Sequence, residues 1–83
     1  MRKILVGLRV PSIQEKYDLF IPSDMDIGLL TELLTDGVKE LSEGRYRPCA
    51  PNLLTMENAK LPLNPEKSLE DYGAEDGVKL ALF

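Results

Sequence analysis

Tyr17-Asp18-Leu19-Phe20-Ile21-Pro22-Ser23-Asp24 is the stretch on which the fold turns. Its first five residues alternate, with Tyr17, Leu19 and Ile21 on one face and Asp18 and Phe20 on the other, the period of a half-buried β-strand. Pro22 stops the strand, because it brings no N–H to a ladder. Ser23, Asp24 and, just beyond, Asp26 carry side-chain oxygens suited to accept from the free amides of a helix's first turn. One strand therefore ends where a helix begins.

Upstream, Ile4, Val6, Leu8 and Val10 alternate with Leu5, Gly7 and Arg9. Pro11-Ser12 breaks this run and Gln14-Glu15-Lys16 connects it to the next, so the chain opens with a β-hairpin. Downstream, Ile27, Leu30, Leu34, Val38 and Leu41 recur at spacings of three and four, a helical stripe widened by Leu29 and Leu33. Glu32, Asp36, Lys39 and Glu40 fall on the solvated side, Gly37 weakens the last turn, and Gly44 is a natural stop.

Arg45 to Pro51 holds two prolines and reads as a loop. Asn52 to Met56 is a short strand, and Lys60 to Leu63 a brief one that Pro62 confines to an edge. Ser68-Leu69-Glu70-Asp71-Tyr72-Gly73 forms a single helical turn, and Asp76-Gly77 a tight turn. The run from Val78 to Phe83 is a strand with Val78, Leu80 and Leu82 inward and Lys79, Ala81 and Phe83 outward. The order is β-β-α-β-β with a short helical turn before the last strand, one α+β domain spanning 1–83. Which of Leu53, Leu54, Thr55 and Met56 face inward stays open, because a one-residue slip reverses them all.

Composition narrows the function. The chain has 83 residues, 43% hydrophobic and 29% charged, ordinary for a folded domain. A chain this short buries only about 60–65% of its unfolded surface, so a deep catalytic cleft is not expected. Ten basic against fourteen acidic residues leave no cationic surplus for a phosphate backbone, and nucleic acid is not an expected partner. There is no histidine, which removes the commonest general base and metal ligand. Met1-Arg2-Lys3 followed by apolar Ile4 to Leu8 is too short for a signal peptide before Arg9 interrupts it, and no run approaches the ~20 apolar residues of a membrane span. The lone Cys49 excludes an internal disulfide and suits a reducing compartment. Together these imply a cytoplasmic protein without direct membrane insertion, and neither an enzyme nor a cofactor carrier.

The passage Pro22-Ser23-Asp24 between hairpin and helix, and Ser68 to Gly73 before a strand ending Leu80-Ala81-Leu82, resemble the corresponding parts of ubiquitin. The pattern Tyr17-Asp18-Leu19-Phe20-Ile21, and a Leu-x-Asp-Tyr-x-x-x-Asp-Gly-x-x-Leu ending from Leu69 to Leu80, resemble the small bacterial YukD/EsaB family. The resemblance spans nearly the whole chain, mostly at core and turn positions. It implies a ubiquitin-like β-grasp, a mixed sheet with one main helix on one face. It also implies a cytoplasmic accessory component of a type VII (ESX-like) secretion system, not conjugated to targets. Leu80-Ala81-Leu82-Phe83 contains no Gly-Gly, which conjugated ubiquitin and the sulfur carriers require. A sulfur or modifier carrier with its tail supplied elsewhere is the alternative.

Several constellations have an ordinary structural explanation. Cys49, near Arg45 and Arg47, has no partner base within the sequence pattern and reads as a loop cysteine, the alternative being the reactive thiol of a small enzyme. Glu70, Asp71, Glu75 and Asp76 lack EF-hand spacing and suit turns for backbone reasons. Arg45-Tyr46-Arg47 is a solvated loop segment with possible contacts to an acidic protein. The stronger signal is apolar and outward-facing. With a helix over one sheet face, Leu5, Phe20, Leu54, Ala81 and Phe83 are expected on the other as a contiguous patch, against the alternative of scattered residues among Arg9, Asp18 and Lys79. Such patches mark interaction sites, and the expected occupant is a second copy of the chain or a larger secretion protein, including a membrane component of the machinery.

Overall fold

The computed structural model describes residues 2–47, 53–57 and 62–83. Strand β1 (Lys3–Val10) turns through a 3₁₀ segment at Pro11–Ile13 into β2 (Glu15–Pro22), and helix α1 (Ile27–Leu41) follows. Then come β3 (Leu54–Met56), a second 3₁₀ turn at Glu70–Tyr72, and β4 (Val78–Leu82). The sheet order is β2-β1-β4-β3. β1 runs parallel to β4 and antiparallel to β2, and β3 runs antiparallel to β4. The expected element order and mixed sheet are what the chain forms.

One face of this sheet makes the core. Ile4, Val6, Leu8 and Val10 of β1, Ile21 of β2, Leu54 of β3, and Leu80 and Leu82 of β4 pack with Ile27, Leu30, Leu34 and Val38 of α1, plugged by Leu63 and Leu69. Tyr17 and Leu19 point the same way but are only partly buried, because β2 is the sheet's edge. Leu29 and Leu33, expected to widen the helical stripe, are half exposed, as is Leu41. At 3.6 residues per turn Leu29 and Leu33 lie roughly 100° or more from the centre of the Ile27-Leu30-Leu34-Val38 stripe. Thr35 takes the inward position instead, its hydroxyl donating to the Thr31 carbonyl at 2.8 Å.

The helix N-terminus is held differently from the sequence expectation. Asp26 occupies the N-cap position but makes no side-chain cap bond. The first amides donate to main-chain carbonyls of a distant turn instead, Ile27 to Lys67 at 2.8 Å and Gly28 to Pro65 at 3.0 Å. Ser23 serves a joint of its own: its N–H donates to Arg2 and its carbonyl accepts from Glu70, both at 2.9 Å. At the other end, Gly44 donates to Lys39 and Glu43 to Glu40, closing the helix with a Schellman-type turn.

The Ser68–Gly73 turn is locally specified. Ser68 N–H donates to the Asp71 carboxylate at 2.9 Å, and Asp71 N–H donates to Ser68 Oγ at 3.2 Å, a reciprocal cap like a capping box. The brief strand expected at Lys60–Leu63 lies partly outside the described residues. Its described part, Pro62 and Leu63, is not strand, although Leu63 N–H donates to Leu54 O at 2.9 Å. No helix among the described residues is long and apolar enough to cross a membrane.

Candidate functional site

Helix α1 covers one sheet face, and strand register orders the side chains on the other. Because same-face residues recur every second position, the outer face is ordered in cross-strand rungs, Lys3 with Pro22 at one edge and four more beyond it. Phe20 pairs with Leu5 in the first of these four, beside Gly77, whose N–H donates to Leu5 O. Asp18, Gly7, Lys79 and Glu57 form the second. Lys16, Arg9, Ala81 and Thr55 form the third. Leu53 and Phe83, which exchange both main-chain hydrogen bonds, form the fourth.

This lattice corrects the expected patch. Leu54 is 2% exposed and belongs to the core, since its register partner is inward-facing Leu82. Ala81 points outward but is 1% exposed: a methyl between the longer side chains of Arg9 and Thr55 is overtopped by them. Leu5 is partly covered. Phe20 and Phe83 are open to solvent, at 69% and 52%. They stand three rungs apart, roughly 20 Å along the strands, and two charged rungs separate them. The outer face thus carries two apolar pairs, Phe20 with Leu5 and Phe83 with Leu53, on either side of a charged middle, with Lys3 and Pro22 beyond Phe20.

The middle holds a shallow depression of about 190 Å³, rimmed by Arg9, Lys16, Asp18, Glu57 and Lys79. It exists because Gly7 contributes no side chain. A Cβ there would sit 3.7 Å from Lys79 Cγ and 3.8 Å from Asp18 Oδ1, ordinary contact distances. Among the described residues Arg9, Lys16 and Lys79 make no ion pair, the one such pair being Arg45 with Glu15 at 3.3 Å. With Lys3 added, the outer face carries four cationic side chains against two carboxylates, in a chain of net charge −4.

The Arg45-Tyr46-Arg47 segment also departs from expectation. Tyr46 is 3% exposed and part of the core, so it is not a loop contact. Its N–H donates to Ser42 Oγ at 3.0 Å, and an aromatic body of this size has more to gain inside than out. Arg45 reaches back to Glu15 and donates to the Ser42 carbonyl. Only Arg47 of the three is both exposed and unengaged among the described residues. Cys49 and the remainder of the loop to Pro51 lie outside the described residues. Of the acidic turn residues, Asp71 and Asp76 accept main-chain N–H groups, Asp76 Oδ1 from Leu5 at 2.8 Å. Among the described residues no group of three or more carboxylates or thiols converges as a metal site would.

Nothing in the local sequence marks Gly7 and Lys16 as a depression and its rim. Their adjacency to Lys79 follows from the parallel β1–β4 register, for which sequence patterning has no local signal.

Comparison with known proteins bears on the fold. No protein-family model matches the chain, and no curated protein matches it. Among solved structures, the chain is similar to the ubiquitin-like domain of the Mycobacterium tuberculosis type VII secretion system protein EccD1, with 20% identity and a TM-score of 0.80, covering 99% of this chain and 98% of that one. It is similar to the EccD5 ubiquitin-like domain from Mycobacterium xenopi, at 19% identity and a TM-score of 0.81, over 100% of this chain and 94% of that one. A chain of the MycP5-free ESX-5 inner membrane complex matches at 18% identity and a TM-score of 0.82, over 100% of this chain but 21% of its own length. The fold is the ubiquitin-like β-grasp.

Proposed function

We propose that this chain is a ubiquitin-like protein-interaction module of a type VII secretion system, acting by docking and not by conjugation or catalysis. Its place would be the cytoplasmic side of the machinery, as a bacterial accessory component of the YukD/EsaB kind. The observation that carries the docking mechanism is the uncovered outer sheet face, with Phe20 and Phe83 open on either side of its charged middle. The secretion context is supported by likeness over the full chain to ubiquitin-like domains of type VII secretion proteins and to part of a chain of the ESX-5 inner membrane complex, together with the motif resemblance at Tyr17–Ile21 and Leu69–Leu80. The partner in this reading is a membrane component of that complex.

Immobilised wild-type chain is expected to retain a detergent-solubilised type VII inner-membrane complex. Burying a phenylalanine ring contributes about 2 kcal/mol, so Phe20→Asp and Phe83→Asp should each weaken retention roughly thirtyfold. Both residues are exposed, and the far-ultraviolet spectrum of each variant should match wild type. Full retention by the double variant would contradict the mechanism.

A further inference from the structure

We propose that the depression over Gly7 is a socket for a carboxylate: it receives a Glu or Asp side chain from the middle of an amphipathic helix of the docking partner. The helix's two apolar ends rest on Phe20 with Leu5 and on Phe83 with Leu53. This rests on the sheet-face reading above and adds the partner's chemistry to it.

Three observations converge on an acidic occupant. Arg9, Lys16 and Lys79 surround the depression without an ion pair among the described residues. The face they occupy is cationic while the chain as a whole is anionic, and this charge segregation favours an acidic partner surface. The floor is a glycine with room for more than a hydrogen, so a side chain from outside can approach the backbone there. Asp18 Oδ1 stands as near the glycine as Lys79 does, 3.8 Å against 3.7 Å from a Cβ built there, and Glu57 lies beyond Lys79 on the same rung. These two carboxylates direct an entering carboxylate toward Arg9 and Lys16 and disfavour a broad anionic surface lying across the whole face.

A helix fits the spacing. The apolar pairs are roughly 20 Å apart along the strands, a length covered by about 14 helical residues at 1.5 Å each. Fourteen residues are close to four turns, so both apolar anchors lie on one helix face, and a residue about seven from each lies on that face between them. A helix laid on a sheet face is one of the few stable layer arrangements.

The test is a titration of the isotope-labelled chain with two helical peptides of about 18 residues. Each carries leucines about 14 apart, with glutamate midway in one and lysine in its twin. The glutamate peptide should shift the amide signals of Gly7, Arg9, Lys16 and Lys79 and bind at least tenfold tighter than the twin. That preference should shrink when salt is raised from about 0.05 M to about 0.5 M, where the screening length falls to a few ångströms. Gly7→Ala places a methyl at ordinary contact distance from Lys79 and Asp18, and Gly7→Val narrows the depression further; both should lose the preference, with the alanine variant keeping the wild-type fold. Arg9→Glu with Lys79→Glu should reverse it, and Asp18→Asn should strengthen it severalfold. Equal affinity for both peptides, shifts confined to α1, or equal displacement by inorganic phosphate would overturn the proposal. If Phe20→Asp and Phe83→Asp abolish retention of the inner-membrane complex while Gly7→Val and Arg9→Glu leave it intact, the docking face stands and the socket falls.

Discussion

Gly28 and Gly37 lie on the same helix, nine residues apart, and their substitution should have opposite effects. A Cβ at Gly28 would stand 3.3 Å from Pro65 Cβ and 3.4 Å from Pro65 O, beside the carbonyl that accepts Gly28's own N–H. Gly28→Leu would push the Pro65 turn away and cost about 1–3 kcal/mol. Nothing lies within 4 Å of a Cβ at Gly37, so Gly37→Ala should restore the helix propensity lost there and stabilise by about 0.5–1 kcal/mol. In a domain of this size each kcal/mol moves the melting temperature by about 4–8 °C, and thermal melts followed by circular dichroism would resolve both signs. The sequence alone marks Gly37 as a weak point of the helix. It cannot mark Gly28, because Pro65 reaches that position only through the tertiary fold. Tyr46 teaches the same point: in an Arg-Tyr-Arg loop it reads as solvated, yet it is core. Its inward turn depends on the helix ending at Leu41 with Ser42 placed to accept its amide.

Among the elements, those with a local period were legible. The hairpin, the stripe of α1 and the Ser68–Asp71 turn each carry their signal within about a dozen residues. The parallel pairing of β1 with β4 does not, since it joins residues some seventy positions apart in sequence. That pairing decides the candidate site: it sets Lys79 beside Gly7 and sends Phe83 to the far end from Phe20, which turns an expected contiguous patch into two apolar pairs. Leu54, expected on the outer face, pairs through β3 with inward Leu82 and is core, a register that three strand residues do not signal locally. Asp76 helps to fix the start of β4, its Oδ1 accepting the Leu5 N–H while Gly77 N–H donates to Leu5 O. Asp76→Ala should therefore cost about 1–2 kcal/mol. It should also speed hydrogen exchange at the Leu5 amide more than at Val6 or Leu8, measurable by mass spectrometry or nuclear magnetic resonance.

For the whole molecule, the two faces differ in charge as well as cover. Around exposed Leu29 and Leu33, α1 presents Glu32, Asp36 and Glu40 with the single cation Lys39 to solvent, while the outer sheet face presents Lys3, Arg9, Lys16 and Lys79 against Asp18 and Glu57. A partner steered by charge therefore meets one face in preference to the other, and the docking face is the sheet's. The most direct measurement of that claim is photo-crosslinking in cells that express the secretion machinery. A benzophenone side chain would be placed singly at Phe20, Phe83, Leu29 or Leu33, all exposed positions. Docking through the sheet gives adducts with a component of the inner-membrane complex from Phe20 and Phe83, and none from Leu29 or Leu33. Adducts from the helix positions alone would contradict it and move the interface to α1.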